Sequence, residues 1–122
     1  MRKRPSILLI EPRQNVRTTL EMTLCHGGMQ VFSAVNLDSA LLQLRVLQPD
    51  LIIIGFERPG PEEGAAVAQI KALSSAPLLA LGDGNDASPV PGVADTLSSP
   101  LNIGQLCVKV ADLLNARIET RL

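Results

Sequence analysis

The chain has 122 residues, 46% of them apolar, and eleven basic against twelve acidic side chains leave a formal net charge of −1. That is enough for one compact domain whose core needs neither disulfides nor a structural metal. So balanced a charge carries no electrostatic footprint for nucleic acid or an anionic membrane, and two Phe with no Trp or Tyr leave almost no platform for stacking bases.

In chain order, "MRKRP" (1–5) reads as a solvated basic tip, and the aliphatic run Ile7 to Ile10 is too short for a signal-peptide core or a membrane span. "SILLI" (6–10) is the first expected strand, and Val16, Leu20 and Leu24 mark a helix by their spacing of four. His26 precedes Gly27 and Gly28, at the expected end of that helix, where a basic side chain suits the dipole. Cys25 points elsewhere from the same helix, so no Cys/His catalytic pair is expected. "MQVFSAV" (29–35) is the second strand, and Leu37, Leu41, Leu44 and Leu47 mark a helix that stops before Pro49.

"DLIIIGF" (50–56) is the third strand, and "GPEEG" opens a third helix with acids suited to its N-terminus, continued by Val67, Ile70 and Leu73. After "PLLALG" (77–82), "DGNDASPVP" (83–91) holds two prolines and no helical spacing, so the fourth helix is expected to be shortened or missing. "GDGND" (82–86) lacks the lysine-serine ending of a phosphate loop and the distal glutamate of a calcium loop, and reads as a turn. "ADTLSS" (94–99) is the fifth strand. A last helix is marked by Ile103, Leu106, Val110, Leu113 and Leu114, capped by Asn102 after Pro100 and running on through Ile118. Residues 119–122 are read as a frayed end or the start of a linker. Cys25 and Cys107 both sit in apolar helical patterns and are expected as buried, reduced thiols, which fits a cytoplasmic setting.

Strands alternating with helices over one domain, residues 1–122, imply an α/β fold with a parallel sheet covered on both faces. Ligand sites in such sheets lie beyond the carboxyl ends of the strands. Here those ends carry Glu11 and Pro12, Gly55 to Arg58, Gly82 and Asp83, and Ser98 and Ser99.

"ILLIEPRQNVRTTLEMTL", "PDLIIIGFERPGPEEG", "PLLALGD" and "GVADTLSSPL", in this order, resemble the receiver domain of two-component response regulators over residues 6 to 118. The resemblance implies a flavodoxin-like (βα)5 three-layer sandwich with a central five-stranded parallel sheet. It also implies a degenerate site. Gly55 matches the phospho-acceptor aspartate, Glu11 and Pro12 the pair of magnesium-binding acids, Gly82 the hydroxyl residue, Ser99 the lysine before the last proline and Thr96 the aromatic switch position. The bond before Pro100 is cis by the same resemblance. Acyl-phosphate formation needs a carboxylate nucleophile, a divalent cation and a group that holds the transferred phosphoryl. Glycine, proline, glycine and serine supply almost none of these.

The expected role is therefore a receiver-like module of bacterial two-component signalling that is not an enzyme, needs no cofactor and works by phosphorylation-independent protein–protein contact. Its partners are expected to be signalling proteins or a second copy, with no nucleic acid or membrane bound by this domain. The expected contact surface is the face between the fourth and fifth elements, with Asp83, Asp86, Thr96, Gln105, Lys109 and Asp112. No metal site is expected; the weak candidates Glu11, Glu57 and Asp83 read as solvated loop acids. The alternative role is a small-ligand or metal-ion sensor in a pocket vacated at Gly55 and Gly82, beside Glu11, Asp83 and Ser99. A phospho-receiver that uses Glu57 as a substitute acid ranks behind both.

Overall fold

A computed structural model of the chain describes residues 4–56, 61–82, 92–98 and 101–121. Five strands, β1 (Ser6–Ile10), β2 (Gln30–Ala34), β3 (Leu51–Phe56), β4 (Leu78–Gly82) and β5 (Asp95–Ser98), form one parallel sheet in the order β2-β1-β3-β4-β5. Helices α1 (Gln14–His26), α2 (Leu37–Leu44), α3 (Pro61–Leu73) and α4 (Ile103–Arg121) complete the elements. This is the expected flavodoxin-like architecture. Residues 83–91, on which the expectation of a lost fourth helix falls, lie outside the described residues, and so do Glu57, Ser99 and Pro100.

Side-chain alternation along the strands divides the core into two layers. Ile7 and Leu9 of β1, with Leu51 and Ile53 of β3, pack against Leu20 and Leu24 of α1 and Leu106, Val110 and Leu114 of α4. Leu8, Ile10, Ile52 and Ile54 point the other way, onto Ala40 and Leu44 of α2 and Val67 and Ile70 of α3. Every side chain of "LIII" is thus buried, and each Leu or Ile taken out of water contributes about 1.5–3 kcal/mol. The edge strand β5 buries only Leu97 and leaves Thr96 and Ser98 exposed.

The helix ends follow local chemistry. Asn36 caps α2 by accepting a hydrogen bond from the Ser39 N–H (2.8 Å), and Asn102 caps α4 by accepting one from the Gln105 N–H (3.0 Å). At the other end of α1, Gly28 adopts φ 86°. This left-handed turn lets the Met29 N–H reach back to the Leu24 carbonyl at 3.2 Å, a closure that glycine makes without strain.

Several side chains fall elsewhere than their spacing implies. α2 ends at Leu44, and Leu47 lies beyond it, because the chain must already be turning toward the extended backbone that Pro49 demands. Leu73, on the last turn of α3, is 41% exposed. Cys25 and Cys107 are exposed rather than buried; each is adjacent in sequence to a core leucine, Leu24 or Leu106, and one residue along a helix turns a side chain by about 100°.

Candidate functional site

The strand order reverses between β1 and β3, whose partners spread outward on either side. The chain segments leaving these two strands are therefore the walls of the crevice in which sites of this architecture form. Ile10 pairs with Ile54 in the sheet, which sets Glu11, the next residue of one strand, beside Gly55, the next of the other.

Glu11 is wholly buried. Its backbone N–H donates to the Ala34 carbonyl at 3.0 Å, continuing the sheet ladder past β1. Its carboxylate is held by Arg13 from three directions. Oε2 accepts from the Arg13 backbone N–H at 2.9 Å and from Nε at 3.2 Å, while Oε1 accepts from the second guanidinium nitrogen at 3.0 Å. The guanidinium is 30% exposed, so a buried anion is neutralised by a cation at the protein's edge. Paired hydrogen bonds between guanidinium and carboxylate are among the strongest polar contacts available. Arg17 adds a further brace, donating to the Glu11 carbonyl at 2.9 Å. The expectation that Glu11 is a solvated acid is thus corrected: continuation of the sheet carries it inward, and Arg13 makes that burial tolerable.

Gly55 is the complementary surface. A Cβ at this position would overlap Oε1 of Glu11 and stand 2.9 Å from its carboxyl carbon. The spot where a side chain at residue 55 would begin is thus taken by the Glu11 carboxylate. Gly82 differs: an added Cβ would meet nothing within 4 Å. It opens onto a cleft of about 380 Å³ between α1 and α4, floored by Leu81 and Leu97 and edged by Arg13, Thr19 and Ser98. A second cleft, of about 430 Å³, lies on the α2–α3 side of Gly55 and contains the buried side chain of Glu63.

A divalent cation does not fit the described part of this crevice. Glu11 offers the carboxylate, yet both oxygens already face a guanidinium, and Pro12 offers none. Among the described residues, no three His, Cys, Asp or Glu side chains are grouped to hold a metal. Glu57 and Asp83 lie outside those residues.

No family model matches the chain. It is 30% identical over 106 residues to the KDP operon transcriptional regulatory protein KdpE of Escherichia coli, covering 83% of this chain and 47% of that protein. It is 34% identical over 82 residues to the transcriptional regulatory protein AfsQ1 of Streptomyces coelicolor, covering 67% of this chain and 36% of the relative. The chain therefore spans about half or less of the curated relatives it matches. The crystal structure of a signal receiver domain from Vibrio parahaemolyticus superposes with a TM-score of 0.84 at 19% identity, covering 98% of this chain and 96% of that one.

The chain has the fold of a response-regulator receiver domain. In this receiver-like domain Thr96, Gln105, Lys109 and Asp112 line one open groove of about 760 Å³ between β5 and α4. The structure thus brings together the four described members of the expected contact surface; Asp83 and Asp86 are outside the described residues. Lys109 donates to Asp95 at 2.7 Å across the groove, and Val108 beside it is 61% exposed. Among the described residues, no helix is long and apolar enough to cross a membrane.

Arg13 is the site residue that sequence reasoning passed over. It occupies the N-cap of α1 without making a side-chain cap, a position where Ser, Thr, Asp or Asn is preferred and a cation opposes the helix dipole. That local mismatch was the available signal, since residues that break local rules tend to serve a site.

Proposed function

We propose that this receiver-like domain takes part in two-component-type signal transduction without being phosphorylated, and works as a protein–protein interaction module. The observation that carries the reading is Gly55. By resemblance it stands at the phospho-acceptor position, and the third strand there presents no side chain to the crevice where β1 and β3 diverge. A phosphoryl group needs a nucleophile to leave its donor, and neither glycine at 55 nor proline at 12 contributes a carboxylate.

Contact then falls to a surface that needs no chemistry. The β5–α4 groove supports this role because it combines an exposed apolar side chain, Val108, with charges of both signs at Lys109, Asp95 and Asp112. Mixed charge around an apolar centre suits a signalling protein or a second copy related by a two-fold axis, in which each cation meets the partner's acid. The test is intact-mass measurement after incubation with acetyl phosphate and magnesium. The mass stays unchanged on this reading, whereas a gain of one phosphoryl group, lost in Glu57→Gln, would establish a substitute acceptor.

The open space at Gly82 favours one second reading, a small-ligand sensor using the cleft between α1 and α4. A ligand bound there would raise the melting temperature with concentration.

A further inference from the structure

We propose that the Glu11–Arg13 ion pair is a built-in occupant of the crevice at the end of β3. It fills the space, and balances the charge, that a side chain at residue 55 and a bound cation would otherwise fill and balance. The inference deepens the phosphorylation-independent reading and rests on it for the identity of the site. Its physical content, however, is a coupling between two residues, and that coupling is measurable without reference to signalling.

Three observations meet here. Glu11 is fully buried although it is an acid, so its burial requires a counter-charge. Arg13 supplies one from only two residues away, with three hydrogen bonds to the two carboxylate oxygens. Finally, the carboxylate lies where the side chain of residue 55 would begin, so that even one carbon at 55 overlaps Oε1. Glutamate at 11 and glycine at 55 are then two halves of one arrangement. A buried carboxylate has entered the crevice from β1, and β3 has given up its side chain to admit it. Among the described residues, the guanidinium faces both of these oxygens and neutralises the carboxylate that a hard cation would otherwise meet.

A side chain at residue 55 must therefore push the Glu11 carboxylate away from Arg13, and the cost of the substitution depends on Glu11. The test is a double-mutant cycle on the full chain, read by melting temperature. Gly55→Ala alone overpacks the crevice and lowers Tm by about 5–15 °C. In the Glu11→Ala background the added methyl enters space already cleared, and the same change lowers Tm by less than about 3 °C. Glu11→Gln keeps the bulk and removes the charge, so Gly55→Ala remains as harmful there as in the wild type. If Gly55→Ala fails to fold alone but folds once Glu11 is alanine, the inference is supported equally. An equal drop in both backgrounds, or loss of folding in both, overturns it. Magnesium that shifts the Glu11 and Gly55 amide resonances saturably would also overturn it, because the pair would then not stand in place of a cation, whereas a phosphoryl group gained with the cycle intact would overturn the phosphorylation-independent reading alone.

Discussion

At the scale of single residues, Arg13 carries the largest energetic consequence. Removing its guanidinium leaves the Glu11 carboxylate buried with only a backbone N–H for company. Breaking a buried pair from one side is strongly destabilising. Because Arg13 is 30% exposed, Arg13→Met is expected to lower unfolding free energy by about 2–4 kcal/mol, read from the urea midpoint; a change within 0.5 kcal/mol or so, the ordinary range for surface positions, would show the pair to be incidental. The roles of Glu11 and Gly55 were partly legible in the sequence. Strand ends can be read from aliphatic runs, and an acid or a glycine at such an end is conspicuous. Burial of Glu11 was not legible, because it depends on the sheet continuing one residue past the aliphatic run and on Arg13 folding back from the first turn of α1. Exposure of Cys25 and Cys107 was misread for a related reason: an apolar helical pattern fixes which stripe is buried, and each cysteine sits one residue beside it.

At the scale of elements, chemistry at the termini sets the boundaries, and the two asparagine caps show it. Asn36→Ala removes the acceptor for the Ser39 N–H and is expected to destabilise the chain by about 1 kcal/mol, with Asn36→Asp close to neutral, both measured by chemical denaturation. Asn102 was evident beforehand because it follows a proline and opens a strong apolar stripe. Asn36 stands in the same way just before the Leu37 stripe, and its capping hydrogen bond is a finding of the structure. The ion pair joining β5 to α4 adds a pH dependence. The hydrogen bond from Lys109 holds the Asp95 carboxyl below its ordinary value of 3.8, helped by the Thr96 N–H and opposed by partial burial. A depressed folded pKa means that the contribution is fully present above pH 4 or so and fades as pH falls through the lower folded value. Asp95 is 41% exposed, so the effect is screened and amounts to no more than about 1 kcal/mol. Lys109→Met should flatten this part of the stability profile; an unchanged acid limb would place the pH dependence elsewhere.

At the scale of the whole molecule, a parallel sheet covered on both faces was readable from the alternation of aliphatic strands and helical spacings, its five-stranded flavodoxin-like form followed from the resemblance, and the strand order is a finding of the structure. The β5–α4 groove was readable only as a list of positions. That Thr96, Gln105, Lys109 and Asp112 share one surface follows from the packing of the last helix beside the edge strand, which periodicity alone does not fix. If this surface supports self-association, Val108→Glu should abolish concentration-dependent sedimentation while leaving Tm unchanged, because Val108 contributes little to the core. Sedimentation identical in both proteins would remove self-association from the role of this face. The central claim, that the crevice between β1 and β3 no longer handles phosphate, is most directly tested by amide NMR of the wild-type chain, recorded with magnesium and then with beryllofluoride, a mimic of an aspartyl phosphate. The resonances of Glu11, Gly55 and Gly82 are expected to stay where they are; saturable shifts at these residues would mean that the crevice still takes up the phosphate mimic.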